Sequence, residues 1–303
     1  MRFLSFGRPN VAPSTTAPSA RGHISKLLPF SCVDGPGSRL VVFFQGCNMD
    51  CGSCHNPHSV GHCNQCGDCA EVCPHNAITM RSDIRHCNSS LCQQCDSCID
   101  QCPRRCNPTS QHYSVDELVK RIAGHAPLLD GVTFSGGEAS LQHRFLLPLC
   151  DALAADPHTQ QLSRLVDSNG LLAAAKWATL LPKIDGVMLD IKAIDEILHR
   201  KLTRRSNVQV LASAELLAEA GKLTELRWLI IEGLNDSSAE INAMIRFYRS
   251  LAQQPPLRLN AFHHHGVRHE FAQAHQPTSP ERIDEIAQQL QQAGIVTTTV
   301  RVD

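Results

Sequence analysis

The run Leu40-Val41-Val42-Phe43-Phe44-Gln45-Gly46-Cys47-Asn48-Met49-Asp50-Cys51-Gly52-Ser53-Cys54-His55-Asn56-Pro57 decides the reading of this chain. Its first five residues read as a buried strand. The strand leads straight into three cysteines spaced C-x3-C-x2-C, with no fourth in register. A structural zinc wants four closed ligands, and a 4Fe-4S cubane also wants four. Three thiolates around a cubane leave one iron with a free coordination position, which a cluster needs if it is to bind a substrate.

Outward from that run, further strand candidates lie at residues 131–135, 165–167, 187–190, 226–231 and 257–262. Each ends in polar or charged residues. Helical spacing appears between and after them, at 115–123 behind Ser114, at 171–181, at 213–220, from Ser237 to 251, and from Ser279-Pro280 to 293. Alternating strand and helix predicts a parallel sheet. Six such units predict an α/β fold, an open, partial (β/α)6 TIM-type barrel with its chemistry at the C-terminal strand ends.

The chain has 303 residues, enough for one such barrel plus an insertion. A formal net charge of −1 argues for neither nucleic acid nor an anionic membrane as partner. No apolar run approaches the ~20 residues of a membrane span. Fifteen cysteines without a secretory signal read as metal ligands in a reducing cytosol, so a cytoplasmic location is expected. Residues 1–21 are acid-free and rich in Pro and Ser/Thr; they read as a disordered tail in preference to a transit peptide.

Between about residues 57 and 106 the alternation breaks down, and ten of the fifteen cysteines fall there. With little apolar material, this stretch must be held together by metal. Cys63-x2-Cys66-x2-Cys69-x3-Cys73-Pro74 repeats as Cys92-x2-Cys95-x2-Cys98-x3-Cys102-Pro103. This is the two-cluster ferredoxin pattern, in which the fourth cysteine of each run ligates the other cluster. Cys63, Cys66, Cys69 and Cys102 are expected to hold one cubane, and Cys92, Cys95, Cys98 and Cys73 another. The competing reading, a pair of zinc ribbons, has no use for the x3-Cys-Pro continuation. Cys87 and Cys106 flank the second run as extras, while Cys32 and Cys150 read as small buried apolar residues. The expected organisation is a barrel from 22–57 and 107–303 around a ferredoxin-like insertion at 58–106. Fully ligated clusters have no open iron, so these two either supply electrons or hold the insertion together; the spacing does not separate the two roles.

The C-x3-C-x2-C loop is the signature of radical S-adenosylmethionine (SAM) enzymes. Cys32-Val33-Asp34-Gly35-Pro36-Gly37-Ser38-Arg39, followed by a loop closing in Cys54-His55-Asn56-Pro57, resembles the opening of the glycyl-radical-enzyme activating enzymes, of which pyruvate formate-lyase activase is the best known. The insertion looks like the subgroup with extra clusters. With Leu165-Val166-Asp167-Ser168-Asn169-Gly170 and Leu259-Asn260-Ala261-Phe262-His263, the chain is similar to the YjjW type. The resemblance spans roughly residues 22–300.

It implies three 4Fe-4S clusters, SAM as co-substrate, and Cys47, Cys51 and Cys54 as ligands of the SAM-binding cluster. Gly136, Gly137 and Glu138 would position the SAM amino group, with Glu138 accepting from the ammonium. Lys192 and Arg227 would meet its carboxylate, and His263 would pack near adenine. Asp167, Ser168, Met188 and Asp190 match positions around a monovalent cation; two carboxylates brought together repel without a cation or a proton. One departure is Glu232-Gly233, where the family usually shows Pro-Gly.

The implied activity is reductive cleavage of SAM to a 5′-deoxyadenosyl radical that takes an α-hydrogen from a glycine of a partner glycyl radical enzyme. No Arg-Val-x-Gly-Tyr/Phe run occurs here, so the target is another chain. A flavodoxin- or ferredoxin-type electron donor and a monomeric state are implied alongside. Two alternatives stand beside this: a radical SAM enzyme acting on a small molecule, as in deazaguanine-type ring synthesis, and an iron–sulfur electron-transfer protein. The last leaves the three-cysteine loop, Gly136-Gly137-Glu138 and Lys192 unexplained.

Overall fold

The computed structural model describes residues 20–300, so the expectation for residues 1–19 lies outside the described residues. Strand β1 (Gly22–Ser31) turns back onto antiparallel β2 (Arg39–Phe44). The insertion then contributes α1 (Asp68–Glu71), β3 (Ile78–Arg81), β4 (Ile84–Cys87) and α2 (Ser97–Gln101). A short β5 (Gln111–Tyr113) returns to pair with β1. From there the order is α3 (Val115–Ala123), β6 (Gly131–Gly136), α4 (His143–Ala155), β7 (Ser163–Ser168), α5 (Ala174–Leu180) and β8 (Gly186–Ile191). The chain continues as α6 (Glu196–Thr203), α7 (Val208–Glu219), β9 (Leu223–Ile230), α8 (Ser238–Ser250), β10 (Leu257–Ala261), α9 (His269–Ala274), α10 (Pro280–Gln292) and β11 (Thr297–Val300).

One sheet runs β11-β10-β9-β8-β7-β6-β2-β1-β5, parallel from β2 to β11. The six expected strands stand side by side in chain order. The structure adds antiparallel β1 and β5 at one edge and a seventh parallel strand, β11, at the other. These were not legible: β5 is three residues long, and β11 is a half-exposed threonine run with no apolar stripe. Helix α3 starts as expected, with a capping box in which Ser114 Oγ accepts from Glu117 N–H and Glu117 accepts from Ser114 N–H. Ser237 and Ser279 likewise cap α8 and α10. Helix α7 begins at Val208, earlier than the 213–220 stretch suggests, and α4, which carries Pro148, was not anticipated.

Period-two alternation divides each strand between two environments. Val132, Phe134, Val166, Val187, Leu189, Leu226 and Trp228 join residues of the flanking helices in one core. The intervening positions present Arg39, Thr133, Ser135, Asp167, Asp190, Glu225, Arg227 and Arg258 to the other face, which is therefore polar. Residues Val33 and Asp34 show that this face is concave. Thr133 Oγ1 on β6 donates to the Asp34 carbonyl at 2.7 Å, while Arg258 Nη1 on β10 donates to the Val33 carbonyl at 2.8 Å. In a flat sheet four strand spacings would separate β6 from β10 by about 19 Å. Adjacent residues reach both only if the sheet curls around them. Arg39, fully buried, fastens the same loop through Pro36 O, Thr133 Oγ1 and Ser163.

Cys150 is buried as expected, but Cys32 is exposed, because it falls in the turn just past β1 rather than in a strand. Among the described residues no helix is long and apolar enough to cross a membrane. Ala77 and Ile78 are buried, but no residue of 58–106 joins either of the two apolar clusters. The stretch leaves and rejoins the rest of the chain at a neck, where Gly61 N–H donates to Arg105 O at 2.8 Å and a Cβ at Gly61 would collide with the Arg104 carbonyl.

Candidate active site and iron–sulfur sites

The three-cysteine loop emerges from the C-terminal end of β2 and is gripped from several sides. Gly137 N–H donates to Phe44 O at 2.9 Å and Glu138 N–H to Gly46 O at 2.8 Å, so the Gly136-Gly137-Glu138 turn lies directly on the loop's base. Gly136, with φ of 115°, and Gly137 both approach the neighbouring backbone too closely for a Cβ. On another side, Asp50 N–H and Gly52 N–H donate to Thr203 O and Leu202 O at the end of α6, each at 3.0 Å. From the loop after β10, Arg268 donates to Cys51 O.

Cys47, Cys51 and Cys54 lie within electrostatic reach of one another. Burial pushes the thiols up, Cys47 to about 12 and Cys51 to about 11. Buried side by side, such thiols become thiolates only beside a strong positive charge, as metal ligands do. Two donors aim at Cys47 Sγ: Met49 N–H at 3.4 Å and Asn169 Nδ2 at 3.8 Å. These features fit a cluster held by three cysteines.

Glu138 is 1% exposed, and its carboxylate is already engaged. Oε1 accepts from Ser140 and from Ser168 Oγ, and Oε2 accepts from Asn169 N–H at 2.7 Å. It therefore ties β6 to the end of β7. Lys192, just past β8, donates to Asp190 Oδ2 at 2.8 Å. Burial opposes its charge, but Asp190, Cys51 and Cys54 outweigh burial and hold the ammonium above its usual range.

At the positions expected around a monovalent cation, the side chains are engaged with protein partners. Ser168 turns to Glu138, and Arg227 donates to Met188 Sδ at 2.9 Å while pairing with Asp167 at 3.2 Å and Glu225 at 2.6 Å. The positive charge that neighbouring carboxylates require is this guanidinium, 8% exposed. Arg227 is thus paired with protein carboxylates, as Lys192 is with Asp190, and Lys192 and Arg268 are cations beside the cysteine loop. Glu232, the departure from Pro-Gly, has a structural use: its carboxylate accepts from Ser279 N–H and Oγ at the start of α10.

His263 stacks on His55, with ring centroids 4.1 Å apart and planes 8° from parallel. His55 Nε2 and His263 Nδ1 are both buried without a protein partner. His264 is instead tied to His275 O, and His265 is exposed, so one of the three consecutive histidines faces the site. Sequence reasoning gave no role to His55 or Asn169. For His55 the adjacent Cys54 was a usable signal; the Asn169–Cys47 contact joins residues 122 positions apart and had none.

The cysteines of the insertion fall into two cavities. Cys63, Cys66, Cys69 and Cys102 line one cavity, and Cys73, Cys92, Cys95 and Cys98 line another. Among the described residues no group of three or more His, Cys, Asp or Glu is placed to hold a single metal ion. The repeat extends to the backbone. Gln65 and Gln94, at matching positions, have φ of 63° and 55°, and Gly67 and Asp96 have 96° and 60°. Cys69 on α1 and Cys98 on α2 lie within electrostatic reach across the helix contact, so the two cavities are neighbours.

A family model described as Radical SAM superfamily matches residues 41–247. A trans-4-hydroxy-L-proline dehydratase activating enzyme from Clostridioides difficile is 32% identical over 279 residues, covering 84% of this chain and 90% of that protein. A pyruvate formate-lyase-activating enzyme from Staphylococcus epidermidis is 27% identical, covering 82% of this chain and 83% of its own. Among solved structures, QueE from Escherichia coli superposes with a TM-score of 0.56 over 93% of this chain and 95% of that one; at 12% identity the likeness is one of fold. The chain belongs to the Radical SAM superfamily and groups there with the activating enzymes of glycyl radical enzymes.

Proposed function

We propose that this protein binds SAM across the rim formed by the cysteine loop, Gly136-Gly137, Lys192 and the His55–His263 stack, and activates a partner glycyl radical enzyme. The observation that carries the reading is the meeting of these segments, from four separate strand ends, at one end of a polar concave sheet. The Lys192 ammonium is a cation available to the SAM carboxylate. Glu138 sets the Gly136-Gly137 turn and Asn169 against the cysteine loop, acting as a positioning residue. The stacked imidazoles offer adenine a flat wall with two unpartnered ring nitrogens. When bound, the cluster of Cys47, Cys51 and Cys54 supplies the electron that splits SAM into methionine and a 5′-deoxyadenosyl radical.

The architecture proposed is a partial barrel at 22–57 and 107–303 carrying a ferredoxin-like insertion at 58–106 with two further cubanes, three in all. Strands β5 and β11 form the edges of the curled sheet, and the gap between them is the entrance through which the partner's glycine loop would reach the rim. A monomer working in the cytoplasm with a flavodoxin- or ferredoxin-type donor fits the fifteen free thiols.

The test is anaerobic incubation with SAM, a reductant and a candidate glycyl radical enzyme, followed by EPR. A doublet from the glycine α-hydrogen is expected, lost when that glycine becomes alanine; product formation from a small molecule with no partner present refutes the proposal. Cys51→Ala should abolish 5′-deoxyadenosine formation and lower bound iron from about twelve to about eight per chain.

A further inference from the structure

Eleven of the fifteen cysteines are assigned to clusters above, and two of the remaining four lie in the insertion's cavities. Cys106 lines the same cavity as Cys63, Cys66, Cys69 and Cys102. Cys87 lines the same cavity as Cys73, Cys92, Cys95 and Cys98. Each cavity thus holds five thiols, where a cubane uses four.

The extra thiols are placed selectively. Cys106 is 1% exposed, and its Sγ has a long contact, 3.6 Å, to Asn107 O and a hydrogen bond with Ser110. The thiols within electrostatic reach of it are Cys63 and Cys102. Cys87 closes β4, directly across from Ile78, and is within reach of Cys92 and Cys73. In each cavity the fifth thiol therefore stands beside two of the four ligands, one from each cysteine run.

We infer that Cys106 and Cys87 are reserve ligands: Cys106 replaces Cys63 or Cys102, and Cys87 replaces Cys92 or Cys73, when one of those is lost to oxidation or substitution. The exchange is redox-neutral. The reserve thiol gives its proton to solvent, its sulfur bonds to the vacated iron, and the cluster's charge is unchanged. This rests on the two-cluster reading of the insertion. Its consequence is an insertion that keeps its iron after single-site damage at four of its eight ligands.

Anaerobic reconstitution, with iron analysis and visible absorbance as readouts, tests it. Wild type and Cys106→Ala should each bind about twelve irons. Cys102→Ala should also keep about twelve, whereas Cys102→Ala/Cys106→Ala and Cys66→Ala should fall to about eight. Cys92→Ala with and without Cys87→Ala should repeat the pattern in the second cavity, which guards against a single variant that fails to fold. Cys102→Ala and Cys92→Ala both at eight irons, in soluble protein that retains the SAM-responsive cluster signal, overturn the reserve role alone. A wild-type count of four overturns the two-cluster reading beneath it.

Discussion

The rim of the curled sheet and the cysteine-rich insertion both gather thiols, but by different means. At the rim the protein does the holding: backbone hydrogen bonds from the β6 turn and α6, with the Arg268 side chain after β10, fix the three-cysteine loop against a continuous apolar core. The insertion has no part in that core, and seven of the eight non-glycine residues with positive φ among the described residues fall within it. A left-handed conformation costs a non-glycine residue roughly 1–2 kcal/mol. Such a stretch has little burial to offset its own strain, and on the two-cluster reading proposed above metal–thiolate bonds would supply the stability. The difference teaches that sites can share a cluster chemistry while one is scaffolded by the fold and the other is its own scaffold.

The most forceful way to break this comparison is to remove the iron. Chelation under anaerobic conditions should expose amides of residues 62–104 to hydrogen exchange and the segment to proteolysis, while the sheet and its helices keep their protection. An insertion that stays protected without iron would erase the distinction. A smaller but still large effect is expected inside the concave face, where protein charges alone balance. Arg227→Met strands Asp167 and Glu225 and should cost about 3–5 kcal/mol in urea unfolding; a negligible change, or rescue by added potassium, would favour the monovalent-cation reading.

The joint between the two regions should respond to pH. His23 on β1 stacks on His112, lies near His62 at the neck and hydrogen-bonds to Ser110 at 2.9 Å. Burial, with His112, His62 and Arg85 adding to it, lowers His23 to about 4. Below the ordinary histidine value of about 6.5 the unfolded chain takes up a proton that the folded chain refuses. The stabilisation is thus complete above that value and is lost as pH falls towards 4. With His23 partly exposed, solvent screening limits the expected loss near pH 5 to about 1 kcal/mol, and His23→Gln should flatten the slope. The smallest effect is at Asp50, which Arg105 of the neck and Arg268 of the β10 loop both meet. With Asp50 42% exposed, Asp50→Asn should change stability by about 0–1 kcal/mol. A larger loss would mean that the neck helps to hold the site loop, narrowing the contrast.

What was legible followed from local or repeated patterns. Six strands showed as apolar runs, and serine caps marked the starts of α3, α8 and α10. The eight insertion cysteines sorted themselves into two sets because matched spacing constrains which thiols can meet. Illegible were features whose partners lie far along the chain. The bonds that tie Glu138 to Ser168 and Asn169, thirty residues on, leave no sign in its own neighbours. Arg227 reads as a substrate cation until Asp167 claims it from two strands away. The edge strands β5 and β11 form because a neighbour offers unpaired backbone, a reason that leaves no pattern in their own residues.

The amino-acid sequence by itself determined which chemistry is possible: three thiolates with an open fourth position, two further sets of four, and an alternation of strands and helices around them. These are properties of spacing, and spacing along a chain is fixed by covalent geometry. Only the tertiary structure decided which charges are spent on the protein and which remain for a ligand. Ion pairing depends on distance in space and on burial, and the curl of the sheet sets both. It brings Arg227 to Asp167, sends Ser168 to Glu138, stacks His263 on His55, and leaves Lys192 beside the cysteines.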